Sequence, residues 1–259
     1  MISLAVKIIG RAKQEMQKES VYLLGTGRPA GILFDHLPKC GGSSLNTYLE
    51  AHYPMRKTFS INGLNPRASV EQFRRLPQSR RYGYDLVNGH LANALLDYVH
   101  PDCLKITMLR EPVDRIISHY YYVRRTASHY LHEKVTANAM GLADYAASDL
   151  SEELRNWYTT HFSGLRAAEA EQDPETAVNM ALDVVLNHFD LVGFVDAFSS
   201  FTDALRARAG LRHAYRGQKV NLTPGRAGIR DVPEAALEAI RQVNQLDIML
   251  YDQIKAALG

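Results

Sequence analysis

The chain has 259 residues, of which 46% are hydrophobic and 22% charged, and this composition suffices for a substantial core in one globular α/β domain. The formal net charge of +2 excludes the strongly basic footprint of a nucleic-acid-binding protein. Two cysteines, Cys40 and Cys103, are too few for a disulfide scaffold, form no metal-binding cluster with histidines, and fit a reducing, cytoplasmic compartment.

Residues 1–24 predict an N-terminal amphipathic helix. Leu4, Ile8 and Ile9 share one helical face, and several basic residues follow them. We expect this helix to pack on the domain, and a weak association with a membrane surface is the alternative because the polar side is basic. No apolar stretch has the length of a transmembrane segment, and no signal-peptide cleavage pattern is present.

The segment from Gly31 to Leu45 predicts a strand, a short loop and the start of a helix. Its apolar run Ile32–Phe34 breaks at Pro38 into a loop that holds Lys39 and then the tetrapeptide Gly-Gly-Ser-Ser. Such a loop directs backbone N–H groups, a positive helix end and an ammonium group at one point, which suits a phosphate-like anion. Because the lysine precedes the glycines, the order differs from the nucleotide-triphosphate loop, which ends in Gly-Lys-[Ser/Thr].

Three more strands are predicted, at Tyr84–Asn88, Leu104–Leu109 and Leu191–Val195. Each is a short apolar run followed by a turn or helix signal, which is typical of a parallel sheet wrapped by helices. The remaining predicted helical segments are Val70–Leu76, Pro112–Arg125, an irregular stretch over Ala127–Ser163, Ala167–His188, Phe198–Ala209 and one or two closing helices over Pro233–Leu258.

A second informative block begins at Arg110, directly after the predicted strand Leu104–Leu109. Ser118 lies on the helix that follows. Ligands of doubly wound sheets bind outside the carboxyl ends of the strands, and a guanidinium with a hydroxyl suits a phosphate monoester. The alternative is that Arg110 forms an ion pair with Asp114 at the start of the helix and that Ser118 is incidental.

Together these two motifs resemble the donor-binding motifs of sulfotransferases. Pro-Lys-x-Gly-Gly-[Ser/Thr]-Ser-Leu is similar to the loop that holds the 5′-phosphosulfate of 3′-phosphoadenosine-5′-phosphosulfate (PAPS), and Arg-x-Pro-x-x-Arg-x-x-Ser-x-Tyr is similar to the 3′-phosphate site. Similarity to the bacterial "sulfotransferase family 2" group and to glycan 2-O-sulfotransferases extends over roughly Gly31 to Ile254. The weaker matching segments are Asn156–Gly164, Phe189–Phe198, Lys219–Thr223 and Leu246–Asp252.

The resemblance implies a P-loop-like three-layer α/β sandwich, with a central, mostly parallel sheet flanked by helices, as a single domain over residues 1–259. It implies PAPS as the donor substrate, adenosine 3′,5′-bisphosphate (PAP) as the product, and no metal. The acceptor would be a hydroxyl of a glycan or of a small hydroxylated metabolite. The implied donor-binding residues are Lys39, Cys40, Gly41, Gly42, Ser43, Ser44, Leu45, Arg110 and Ser118.

The implied reaction is an in-line transfer in which Lys39 neutralises charge on the leaving oxygen and another residue accepts the proton of the acceptor hydroxyl. His90 is the predicted base, because it directly follows a strand and its Gly-His pair resembles the position of the base in glycan 2-O-sulfotransferases. Two alternatives remain: His90 only caps backbone groups, or His36, just before the loop, is the base.

Two other functions compete with this interpretation. A nucleotide-dependent kinase would require Gly-Lys-[Ser/Thr] and a downstream acid for Mg²⁺, and the first is absent. A non-catalytic protein could use the same loop to bind an adenosine bisphosphate or an anionic glycan. Lys39 and His90 argue against the second possibility, and product formation distinguishes it from an enzyme.

Overall fold

The computed structural model describes residues 12–20, 28–217 and 227–258. These residues form two compact units. The first contains the described residues of Met1–Leu37, Gly41–Met108 and Asp190–Asn221, and the second contains those of Pro38–Cys40, Leu109–Phe189 and Leu222–Gly259. The expectation of one domain over the whole chain stays a prediction.

The elements follow one another in an α/β order. The strands are β1 (Ile32–Asp35), β2 (Thr58–Ser60), β3 (Leu86–Gly89), β4 (Leu104–Leu109) and β5 (Leu191–Phe194). The helices are α1 (residues 12–20), α2 (Gly42–Glu50), α3 (Pro66–Arg75), α4 (Gln78–Arg81), α5 (Pro112–Arg125), α6 (His132–Ala137), α7 (Leu142–Ala147), α8 (Trp157–Ser163), α9 (Ala167–Gln172), α10 (Pro174–His188), α11 (Phe198–Ala209), α12 (Glu234–Val243) and α13 (Gln245–Leu258).

The five strands form one parallel sheet in the order β2-β3-β1-β4-β5. β1 is central, and its Ile32 lies opposite Leu86 of β3 on one side and Leu104 of β4 on the other. The carboxyl ends of β1 and β3 are therefore adjacent, and the residues that follow them, His36 and His90, are neighbours.

Both faces of β1 are covered, which explains its continuous apolar run. Ile32, Leu33 and Phe34 are fully buried. Leu33 belongs to an apolar cluster that includes Val70 and Phe73 of α3. Because successive side chains of a strand point to opposite faces, Ile32 and Phe34 fill the other side of the sheet.

The second unit is helical. α5, α6, α7 and α12 share an apolar core that contains, among others, Ile116, Val123, Val135, Tyr145 and Ile240. The helical spacing of these residues supplies the apolar stripe that an amphipathic helix buries.

A buried carboxylate joins three helices of this second unit. Asp247 of α13 accepts hydrogen bonds from the backbone N–H groups of Tyr158 and Thr159 at the start of α8, at 3.0 and 2.9 Å. Its Oδ2 lies 3.6 Å from Nη2 of Arg115 on α5, and both side chains are fully buried. Asp247 thus satisfies the free N–H groups at the start of α8 while it neutralises a buried guanidinium.

The α/β fold class with a parallel sheet is confirmed, and several predicted bounds are confirmed to the residue, including those of β4, α5 and α11. Several details were wrong. β2 and α4 were not predicted, β3 begins at Leu86 rather than Tyr84, and α3 begins earlier than Val70. The helix predicted over Ala167–His188 is two helices that meet at Asp173. The N-terminal residues Leu4, Ile8 and Ile9 and the segment Lys219–Thr223 lie outside the described residues.

None of the helices in the described part of the chain combines the length and the apolar character that crossing a membrane requires.

Candidate functional site

The predicted anion-binding loop ends in an uncapped helix. α2 begins at Gly42, and its N-cap Gly41 has φ of 76° and provides no side chain to cap the helix. The backbone N–H groups of Ser44 and Leu45 donate to the carbonyl of Gly41, at 3.1 and 3.3 Å. The N–H groups of Gly42 and Ser43 receive no side-chain cap, so they remain suited to an anion at the positive end of the helix.

Gly42 must be glycine because an imidazole occupies the position of its missing side chain. A Cβ added there would lie 1.8 Å from Cδ2 and 2.0 Å from Nε2 of His36. His36 follows β1 and stacks on Phe34, with ring centroids 5.6 Å apart. The ring of His36 therefore packs against Gly42, the first residue of α2.

A chain of hydrogen bonds between side chains determines the tautomer of His36. The Ser60 hydroxyl donates to Oδ1 of Asn88 at 2.8 Å, and Nδ2 of Asn88 donates to Oδ1 of Asn46 at 3.0 Å. Nδ2 of Asn46 then lies 3.3 Å from Nδ1 of His36. Because an amide N–H can only donate, Nδ1 accepts, and the proton of a neutral His36 ring resides on Nε2.

His90 has the opposite tautomer. Its Nδ1 lies 2.6 Å from the backbone carbonyl oxygen of His36. A carbonyl can only accept, so Nδ1 carries the proton and Nε2 of the neutral ring is a free acceptor. The two imidazoles stack with centroids 4.5 Å apart, and among the described residues none donates a hydrogen bond to Nε2 of His90. The predicted base thus has the protonation pattern that proton abstraction requires.

Lys39 is held against an aromatic ring. Its ammonium lies 3.6 Å from the centre of the Tyr122 ring on α5. A cation at this distance over a ring face is attracted by the negative face of the ring. Tyr122 was not among the predicted site residues, since nothing in the sequence distinguishes it from its neighbours Tyr120 and Tyr121.

Arg110 follows β4 directly, as predicted, and its side chain is largely buried. Nε and Nη1 are inaccessible to solvent and have no hydrogen-bond partner among the described residues. Nε lies 3.7 Å from Oδ2 of Asp114, so the alternative ion pair is present but long. Ser118 is buried on α5, and no hydrogen bond joins it to Arg110 in the part of the chain described here.

The hydroxyl of Tyr158 connects Cys40 of the loop with the backbone of Arg110. It donates to the carbonyl oxygen of Arg110 at 2.9 Å, accepts from the N–H of Arg110 at 3.2 Å, and lies 3.0 Å from Sγ of Cys40. Burial raises the pKa of the Cys40 thiol, and it also raises the pKa of Tyr158 well above its ordinary value. Cys40 is therefore a neutral packing residue rather than a nucleophile.

The structure brings the predicted residues together in two groups. In the first unit, Gly42, His36 and His90 are in contact, and in the second, Cys40 and Arg110 share Tyr158. No group of three or more histidine, cysteine or acidic side chains in the described residues is arranged to hold a metal ion.

In a comparison with protein-family models, the chain matches the model described as "Sulfotransferase family" over residues 26–252. A comparison with curated proteins gives no match. The family match covers the Lys39 loop, the block that begins at Arg110 and most of the chain, and it agrees with the α/β fold. The chain belongs to the sulfotransferase family.

Proposed function

We propose that this sulfotransferase uses PAPS as its donor and transfers the sulfuryl group to a hydroxyl of a glycan or of a small hydroxylated metabolite. The observation that carries the choice of donor is the guanidinium of Arg110, which has two buried nitrogens without a hydrogen-bond partner among the described residues. An unsatisfied buried N–H group costs roughly 1–3 kcal/mol, and more when it is charged. A dianionic phosphate is the partner that a planar guanidinium matches best.

Arg110 therefore binds the 3′-phosphate in our proposal, with Ser118 as an additional donor on α5. The 3′-phosphate is the group that distinguishes PAPS and PAP from ATP and ADP. The long Arg110–Asp114 pair, at 3.7 Å, is consistent with a guanidinium that accepts a closer anionic partner.

The loop Lys39–Leu45 binds the 5′-phosphosulfate. Bound PAPS supplies an activated sulfuryl group whose departure leaves negative charge on a phosphate oxygen. The N–H groups at the start of α2 and the hydroxyls of Ser43 and Ser44 hold the anion, and the ammonium of Lys39 neutralises the charge that develops on the leaving oxygen.

His90 accepts the proton of the acceptor hydroxyl through Nε2. The support is the hydrogen bond from Nδ1 to the carbonyl of His36, which leaves Nε2 as the acceptor of the neutral ring. His36 is the weaker candidate, because its Nδ1 already accepts from Asn46 and its Nε2 therefore carries the proton. The role that we propose for His36 is instead to hold Gly42 and His90 in position, because its ring packs against the first and stacks on the second.

Calorimetry in the absence of magnesium tests the donor. We expect PAP to bind with micromolar affinity, and ADP and ATP to bind at least about tenfold more weakly, the equivalent of one lost charge-assisted contact. Arg110→Ala should weaken PAP binding and abolish the preference for the 3′-phosphate. Arg125→Ala, at the exposed C-terminal end of α5, is the matched control and should change neither.

Equal or tighter binding of ATP, or no binding of PAP, would contradict the proposal and favour a nucleotide-dependent kinase or another anion-binding protein. Formation of PAP from PAPS in the presence of a hydroxylated acceptor distinguishes an enzyme from a protein that only binds the nucleotide.

A further inference from the structure

Tyr158 is a fully buried side chain in the second unit, and its hydroxyl has three polar atoms within hydrogen-bond distance. Its single proton is donated to the carbonyl of Arg110 at 2.9 Å. Its oxygen accepts from the N–H of Arg110 at 3.2 Å and lies 3.0 Å from Sγ of Cys40, whose thiol also contacts the carbonyl oxygen of Pro38 at 3.4 Å. The raised pKa of Tyr158 keeps this proton in place across the physiological range.

The phenol ring is also held in position by the rest of the unit. The backbone N–H of Tyr158 donates to Asp247 at 3.0 Å, and the guanidinium of Arg115 lies 5.0 Å from the centre of the ring. Arg115 and Asp247 are themselves fully buried and lie 3.6 Å apart. The hydroxyl of Tyr158 is therefore a fixed point to which Cys40 and the backbone of Arg110 are both attached.

Cys40 is covalently adjacent to Lys39 and Gly41, and Arg110 carries the two unpartnered nitrogens. In the proposed function these are the two ends of the donor site. A ligand with two phosphates binds both ends at once. The second phosphate adds to the binding affinity only if the distance between the two ends already matches the distance between the phosphates.

We propose that Tyr158 is a positioning residue that sets the spacing between the 5′-phosphosulfate loop and the 3′-phosphate end of β4. This inference rests on the proposed function, since it requires that both ends bind one nucleotide. Tyr158 itself touches neither phosphate in this proposal. Its loss should reduce the advantage of a ligand with two phosphates without removing either phosphate site.

Calorimetry with three ligands tests the inference: PAP, adenosine 5′-phosphate and adenosine 3′-phosphate. In Tyr158→Phe we expect the affinity for PAP to fall at least about tenfold, while the affinities for the two monophosphates change less than about twofold. A merely structural role would weaken all three ligands alike, and that result would overturn the proposal, as would an unchanged affinity for PAP.

Tyr145→Phe is the matched control. Tyr145 is another fully buried tyrosine of the second unit, and its hydroxyl lies 2.6 Å from Nδ1 of His119 rather than against the loop. This variant loses a buried hydroxyl of the same kind, and we expect the ratio of PAP to monophosphate affinity to stay at the wild-type value. A ratio that falls as far as in Tyr158→Phe would overturn the proposal.

If Tyr158→Phe does not fold, Cys40→Ala gives a related test, because it removes the thiol that contacts the hydroxyl of Tyr158 and the carbonyl of Pro38 while Tyr158 itself is kept. We expect a selective but smaller loss of PAP affinity, and an equal loss for all three ligands would again overturn the inference. Failure of the proposed function gives a different result: the wild-type protein itself would bind PAP no better than the monophosphates.

Discussion

Lys39, whose ammonium we propose acts on the leaving oxygen, has an unfavourable backbone conformation. Its φ of 65° lies in the left-handed region, where a residue with a side chain costs roughly 1–2 kcal/mol relative to the right-handed conformation. The conformation is maintained by the loop around it, and the ammonium packs on the Tyr122 ring at 3.6 Å. Strain of this kind concentrates at functional sites, where the chemistry of the side chain matters more than local stability.

Two substitutions at Lys39 distinguish the contribution of its ammonium to sulfuryl transfer from the cost of its backbone conformation. We expect Lys39→Ala and Lys39→Gly to lose sulfuryl transfer equally, because both remove the ammonium. Lys39→Gly should be more stable than Lys39→Ala by about 1 kcal/mol, because glycine adopts positive φ without a steric penalty. Urea unfolding measures the difference, and equal stability of the two variants would show that the backbone is not strained.

His90→Asn tests the assignment of the base. Asparagine can keep a hydrogen bond to the carbonyl of His36 but has no basic nitrogen, so we expect the rate of transfer to fall by about 10²–10⁴ while PAP binding is retained. His188→Asn, an exposed histidine at the end of α10, should keep the wild-type rate. Full activity of His90→Asn would exclude His90 as the base.

At the scale of elements, the bounds of a helix or strand could be predicted where residues close in the chain determine them. α5 was predicted to the residue because proline begins it at Pro112 and basic residues end it. β2 was missed because it has only three residues, two of them polar, and owes its existence to pairing with β3. The division between α9 and α10 follows from Pro174, which cannot continue a helix and begins a new one after the cap of Asp173.

The start of α2 depends on the absence of a side chain at Gly42. We expect Gly42→Ala to destabilise the protein by roughly 1–3 kcal/mol and to weaken PAP binding, because the new methyl group would overlap the His36 ring. Gly63→Ala is the control, since nothing lies within 4 Å of the added Cβ. His36→Ala should restore part of the lost stability in the double variant, and its failure to do so would contradict this account.

At the scale of the whole molecule, the two motifs were visible in the sequence, but the contacts that support them were not. Tyr158 is 118 positions from Cys40, and Asn88 is 42 positions from Asn46. Periodicity and turn chemistry report only on neighbours in the chain, so hydrogen bonds over such separations leave no pattern in one sequence. Motif order and strand ends are what single out Lys39, Gly41, Arg110 and His90 in the sequence, and their roles stay predictions.

Stability should decrease in mild acid because of a buried histidine. Nδ1 of His52 donates to the carbonyl of Tyr48 at 2.8 Å, and Nε2 accepts from the N–H of His213 at 3.3 Å. Burial lowers the pKa of His52 below its ordinary value of 6.5. As the pH falls below about 6.5, the unfolded chain therefore binds a proton that the folded protein does not, and protons favour unfolding.

We expect the melting temperature to fall between about pH 7 and pH 5 and His52→Gln to reduce that fall. His188→Gln, at an exposed position, should keep the wild-type dependence. A melting temperature that rises on acidification, or an identical dependence in wild type and His52→Gln, would contradict the assignment.

The central position of β1 has a consequence for synthesis of the chain. Among the described strands β1 is translated first, yet its two partners, β3 and β4, are completed only when Leu109 has been translated. Such non-local pairing makes folding slow, and Ile32–Phe34 stays exposed in the nascent chain until both neighbours exist. The strand that leads into the Lys39 loop is thus a segment through which the nascent chain can aggregate unless a chaperone binds it first.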